Sequence, residues 1–68
     1  MAERLRNRLR EERARLGLTQ ADLAALANVS RKTINTVENG VFIPSTLLAL
    51  RLARVLGTTV ESLFQLPE

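Results

Sequence analysis

The sequence has no cysteine, histidine, tryptophan or tyrosine, and only two phenylalanines, Phe42 and Phe64. Without thiols there is no disulfide staple, and without thiols or imidazoles the usual zinc sites fall away, so no metal is expected. The same gaps argue against an enzyme. The remaining helix-borne carboxylates do not assemble a nucleophile, base and orienter, and no glycine-rich loop is present to cradle a phosphate. No cofactor or small-molecule substrate is expected. Both phenylalanines read as partly buried, which leaves no stacking platform for single-stranded RNA. No apolar run approaches the ~20 residues of a membrane span. The segment MAERLRNRLR is charged without an apolar centre and so does not read as a secretory leader. The lack of cysteine is compatible with a reducing compartment, and a cytoplasmic location is expected.

What is present is a 68-residue chain, expected to form one domain over 1–68 with a modest core. Oligomerisation is a common aid at this size. The net charge is +3, and residues 1–40 carry eight of the ten cations against five acids. Such a face suits a polyanion through counterion release.

The pattern is helical throughout. Ala2 to Leu16 reads as a first helix with Leu5, Leu9 and Leu16 on one face, stopped by Gly17, with Leu18 packing back. Thr19 and Asp22 are spaced for a capping box ahead of a second helix, whose apolar face is Leu23, Ala24, Leu26 and Ala27. Asn28 tolerates the left-handed conformation and can end that helix within a tight corner. Ser30 caps a third helix with Ile34 and Val37 inward, closed by Asn39 and Gly40. Pro44 breaks the run, and Ser45 caps a fourth helix to Leu56, with Gly57 after it. Its core side is Ala49, Leu52, Ala53 and Leu56, flanked by Leu48, Val55 and Leu50; Leu47 falls outside. Thr58 or Thr59 caps a short fifth helix, roughly Val60 to Phe64, before a tail. No segment alternates like a strand. The fold class expected is all-α, a compact five-helix bundle.

The stretch Thr19 to Gly40, TQADLAALANVSRKTINTVENG, resembles the helix-turn-helix of the Xre/Cro-type family of phage-repressor-like DNA-binding domains. The matching residues are Thr19-Gln20, Leu23-Ala24, Val29-Ser30, Ile34 and Glu38-Asn39-Gly40, followed downstream by Pro44-Ser45, Leu52-Ala53 and Leu56-Gly57. The match covers roughly 8 to 66 without a gap. Asn28, where many relatives have Gly, and the apolar loop Val41-Phe42-Ile43 depart from the pattern.

The resemblance implies a regulator of double-stranded DNA, a repressor, that binds a palindromic operator as a homodimer with residues 30–39 in the major groove. Arg31, Lys32 and Thr36 align with base-reading positions, and their chemistry suits guanine acceptors and the thymine methyl. Asn35 could serve adenine, although its neighbours point it toward the rim. Gln20, Thr33, Asn39, Gly40 and Ser45 are the expected phosphate contacts: Gln20 and Ser45 at helix N-termini, Asn39 and Gly40 through exposed backbone N–H groups. The Gln20 amide is also placed to brace the recognition helix. Arg13 falls on the buried stripe four residues after Leu9 and needs a partner. Similarity to the phage repressors points to Glu38, which adjoins the inward stripe; two separate solvated charges are the other reading. Val41, Phe42, Ile43, Leu47, Leu50, Phe64 and Leu66 exceed the apolar content a monomer surface needs. Leu47, Leu50, Phe64 and Leu66 are the expected dimer seam. The rival function is an antitoxin or protein-interaction adaptor on the same fold, with a toxin-like protein partner, suggested by the apolar loop.

Overall fold

The computed structural model describes residues 4–67. In chain order it has a short strand β1 (Arg6–Asn7), then helices α1 (Leu9–Arg15), α2 (Gln20–Ala27), α3 (Arg31–Glu38), α4 (Thr46–Leu56) and α5 (Val60–Leu63), and a closing strand β2 (Phe64–Gln65). Local chemistry sets most of these boundaries. Thr19, Ser30, Ser45 and Thr59 each accept the backbone N–H three residues on, at 3.0 to 3.1 Å, and so fix where α2 to α5 begin. Thr59, not Thr58, caps α5.

The first four helices end in the same way. Gly17, Asn28, Gly40 and Gly57 sit in the left-handed region. At each, the N–H of that residue and of the next turn back onto carbonyls of the last helical turn, for example Gly40 N to Val37 O at 3.1 Å and Val41 N to Thr36 O at 3.0 Å. This is the Schellman arrangement. Asn28, at φ 58°, makes it without a glycine, as its short polar side chain allows.

The core is one cluster in which Leu9, Leu23, Ile34, Val37, Leu52, Leu56 and Leu63 are fully buried. Leu18, Val29, Val55, Val60 and Phe64 pack against it. At about 1.5–3 kcal/mol per large apolar side chain, this cluster is the main stabilising contribution. Among the described residues no helix is long and apolar enough to cross a membrane.

Three expectations are corrected. The first helix starts at Leu9, while Arg6 and Asn7 pair antiparallel with Gln65 and Phe64 (expected starting residue Ala2 lies outside the described residues). The cause is Asn7: its Oδ1 accepts the Leu9 N–H at 3.1 Å and its Nδ2 donates to the Val37 carbonyl at 3.0 Å, so the chain is held extended there. The Arg8 N–H then bonds the Leu63 carbonyl at 2.8 Å, and Phe64 leaves α5 for extended geometry at φ −126°, ψ 129°. Leu26 is exposed rather than part of the apolar face of α2. At about 100° per residue Leu23, Ala24 and Ala27 span a narrow arc, and Leu26 lies well to its side. Leu16 is also exposed, because α1 ends at Arg15 and the next apolar residue to return to the core is Leu18.

Candidate nucleic-acid interface

The corner between α2 and α3 is built from the residues that cap it. Asp22 N donates to Thr19 Oγ1 at 3.0 Å and Thr19 N donates to Asp22 Oδ2 at 2.9 Å, a closed capping box. The Thr19 backbone N–H, then its hydroxyl, hold the Asp22 pKa below its ordinary value. Ser30 Oγ accepts from Thr33 N at 3.1 Å and lies 3.0 Å from Thr33 Oγ1. With Ile34 and Val37 buried, α3 can turn only one face outward.

On that face Arg31, Lys32, Asn35 and Thr36 line a single open depression of about 420 Å³. No acidic residue lies in the first turn of α3. Thr36 Oγ1 lies 3.0 Å from both the Lys32 and Thr33 carbonyls, so its one proton is held by the helix. What this side chain keeps for a ligand is a methyl group and acceptor lone pairs. Asn35 Oδ1 accepts from Asn39 Nδ2, which leaves its amide N–H groups free to donate. Asn35 lines the same depression as the other three.

A second recess, about 470 Å³, lies between the start of α2 and the start of α3, with Thr19, Gln20, Ala21 and Arg31 among its walls. The backbone N–H of Gln20 opens α2 beside it. The Gln20 side-chain amide donates to Glu38 Oε1 at 3.2 Å. Thr33 is tied into the Ser30 cap. Ser45 Oγ is occupied by Leu48 N at the start of α4, away from both recesses.

The expected free backbone donors at Asn39 and Gly40 are absent. Asn39 N donates to Asn35 O at 3.0 Å and Gly40 N to Val37 O at 3.1 Å. Val41 N and Phe42 N both return to Thr36 O, so the helix stop consumes all four N–H groups. The Asn39 side chain remains at this corner.

Glu38 anchors α3. Its side chain is wholly removed from solvent, and Arg13 Nε meets Oε2 at 2.8 Å while Arg13 Nη2 meets Oε1 at 3.3 Å. Arg13 Nη1 also donates to the Leu18 carbonyl at 2.9 Å. Burial pushes the Glu38 pKa up, but hydrogen bonds from Arg13 and Gln20, the Arg13 charge and a bond from Arg10 outweigh it and hold the carboxyl below its ordinary value. The hydrogen bond to Glu38 raises the Arg13 pKa.

Two residues with a part in this arrangement escaped the sequence reading. Asn7 grips the last turn of α3 through the Val37 carbonyl, and Arg10 reaches Glu38 Oε1 at 3.5 Å and Asn39 Oδ1 at 3.4 Å. Asn7 had a visible signal: it is a poor helix former set among arginines, two residues before the first buried leucine. Arg10 had none.

Elsewhere, Leu50 and Phe64 line an apolar depression of about 350 Å³ with Leu5, Pro44, Ala49 and Val60. Leu47 and Leu66 are exposed.

The helix-turn-helix family model matches residues 9–63. An uncharacterized HTH-type transcriptional regulator of Methanothermobacter thermautotrophicus is 46% identical over 65 residues, which is 94% of each chain. The restriction-modification controller protein C.AhdI from Aeromonas hydrophila has a similar structure, with a TM-score of 0.77, 36% identity, and 81% of this chain and 83% of that one covered. Hydroxypropylphosphonic acid epoxidase from S. wedmorenis contains the same fold, with a TM-score of 0.76 and 29% identity, over 84% of this chain but only 30% of that one. From the caps and corner of residues 19–40 to the match over 9–63, sequence and structure agree: this chain belongs to the Xre/Cro-type helix-turn-helix family.

Proposed function

We propose that the protein is a DNA-binding transcriptional regulator that reads duplex DNA with the outer face of α3. The observation that carries this is the depression formed by Arg31, Lys32, Asn35 and Thr36, free of acidic neighbours in the first turn and held rigidly by the Arg13–Glu38–Gln20 cluster behind it. Arg31 and Lys32 supply donors for guanine O6 and N7, Asn35 donates through its amide, and the Thr36 methyl suits thymine. Gln20, through its backbone N–H, and Ser45, at the start of α4, are the proposed phosphate contacts, with Thr33 and Asn39 as side-chain contacts. The HTH-type transcriptional regulators among its relatives support this reading.

The regulator acts as a repressor and binds a two-fold-symmetric operator as a homodimer. A bound protein blocks a promoter with no further machinery, and two recognition helices about 34 Å apart read one palindrome. Leu47, Leu50, Phe64 and Leu66 form the dimer seam around the apolar depression. Selection of bound duplex fragments from genomic DNA tests the whole reading. A palindromic consensus, with affinity falling steeply as salt rises, is the expected result; binding that ignores both sequence and salt would end it.

A second reading, an antitoxin-like adaptor that binds a protein, is favoured by one feature. Val41, Phe42 and Ile43 are exposed in succession after α3. The following residue in the equivalent stops of α1 and α2, Leu18 and Val29, packs on the core, whereas Val41 is 73% exposed. An adaptor would show no salt-dependent duplex binding.

A further inference from the structure

The C-terminal corner of α3 presents a problem for a DNA reader. An eight-residue helix is about 12 Å long, comparable to the width of the major groove, so with its first turn on the bases its C-terminal corner comes close to a flanking phosphate row. The recess beside Gln20 and Arg31 serves the N-terminal end. At the other end, the backbone N–H groups of residues 39 to 42 are all bonded internally, and the α3 carbonyls concentrate negative potential there.

Two guanidinium groups occupy this corner. Arg4 Nη1 lies 3.9 Å from the point where a side chain on Gly40 would begin, in van der Waals contact with this corner. Arg10 lies across Asn39 and Glu38 with its side chain 63% exposed. Neither position is accidental. Arg4 lies two residues before β1, which is fixed by pairing with β2, and Asn7 ties the same segment to the Val37 carbonyl. Glu38 does not fully neutralise Arg10, because its carboxylate is engaged more closely by Arg13 at 2.8 Å than by Arg10 at 3.5 Å.

We infer that Arg4 and Arg10 form a second phosphate-binding point on this protein, at the far end of α3, delivered by the N-terminal segment in place of the backbone donors that the helix stop has consumed. This inference rests on the DNA-reading function above and extends it to a surface outside the helix-turn-helix. The two arginines contact the backbone of the strand across the groove from Gln20. They set how deeply and at what angle α3 lies, without reading sequence.

The experiment is a salt titration of duplex binding for the full chain, on a selected site and on unrelated DNA, with Arg4→Gln/Arg10→Gln and Arg4→Lys/Arg10→Lys compared against the unsubstituted protein. Each lost phosphate contact reduces the slope of log K against log salt by about 0.9. The glutamine pair should therefore flatten the slope by about 1.8 for each protomer bound, about 3.6 for the homodimer on its operator, and weaken binding to both DNAs by similar factors, with the preferred sequence unchanged. The lysine pair, which keeps both charges, should restore most of the slope. Thermal melts of both variants serve as the control that the fold is retained. A glutamine pair that melts normally and keeps the full slope would overturn the inference while leaving the DNA-reading function intact. No salt-dependent duplex binding by the unsubstituted protein would overturn both.

Discussion

Arg13 Nε lies 2.8 Å from Glu38 Oε2 and joins α1 to the last residue of α3 through a carboxylate with no exposure to solvent. Removing one member of such a pair leaves a buried charge without compensation, which typically costs ~3–5 kcal/mol. Arg15 is the natural control: it pairs with Glu12 within one helix, and its side chain is 55% exposed. Arg13→Ala is expected to lower the melting temperature far more than Arg15→Ala, whose effect should stay within about 1 kcal/mol. Equal shifts in parallel thermal melts would contradict the role assigned to the pair.

Acidification should unfold the protein, and the sign follows from the lowered pKa values of Glu38 and Asp22. A carboxyl that is more acidic in the folded state contributes stability fully present above its unfolded value, about 4. That contribution is lost as the pH falls through the folded value. Denaturant midpoints should thus be flat near neutrality and decline below about pH 4.5. Glu38→Gln should be less stable at pH 7 and show a shallower acid decline; a decline as steep as in the unsubstituted protein would assign acid sensitivity elsewhere.

Asn7→Ala removes the acceptor for the Leu9 N–H and the donor to the Val37 carbonyl. A loss of about 1–2 kcal/mol is expected, the range of a lost cap together with a partly buried hydrogen bond. Amide exchange should rise selectively at Arg8, whose N–H depends on the ribbon staying paired with the Leu63 carbonyl. Unchanged protection at Arg8 would show that the ribbon stands without the asparagine.

Thr36 separates a methyl contact from a hydroxyl contact. Because its proton is already held by the Lys32 and Thr33 carbonyls, Thr36→Val should keep the base preference at its position. Thr36→Ala should lose roughly 1 kcal/mol of discrimination there, the lower end for a single base pair. A competition assay over single-base variants of the selected site distinguishes them, and a valine variant as indiscriminate as the alanine one would assign the contact to the hydroxyl.

Replacing Leu50 tests the proposed dimer seam. Leu50→Asp places a charge at the apolar depression while leaving the core untouched, since Leu50 is 56% exposed. Sedimentation should show a shift to monomer with little change in helical content. A self-association equilibrium unaffected by the substitution would move the seam elsewhere.

The parts of the fold that were legible in the sequence are those decided within a few residues. Thr19 with Asp22, Ser30, Ser45 and the left-handed Asn28 announce helix ends because their side chains act on backbone three residues away or nearer. The core of α4 followed from periodicity alone. The ribbon did not, because Arg6 and Asn7 become a strand only when Phe64 and Gln65 arrive beside them from the other end of the chain. The outer face of α3 was readable as a cluster of donors. Which donors remain available was not: the closure of the Asn39 and Gly40 N–H groups and the internal bond of the Thr36 hydroxyl are matters of three-dimensional geometry.

The pairing of Arg6 with Gln65 brings the first and last described segments side by side. A few linking residues between Pro67 and Arg4 would therefore suffice to close residues 4–67 into a circle, and fresh ends could be cut at the exposed Val41–Ile43 turn with the Leu9-to-Leu63 core intact. Such a permuted chain would carry Arg31 and Glu38 at its far end instead of its middle. The join would reinforce the two short strands that keep Arg4 near Gly40.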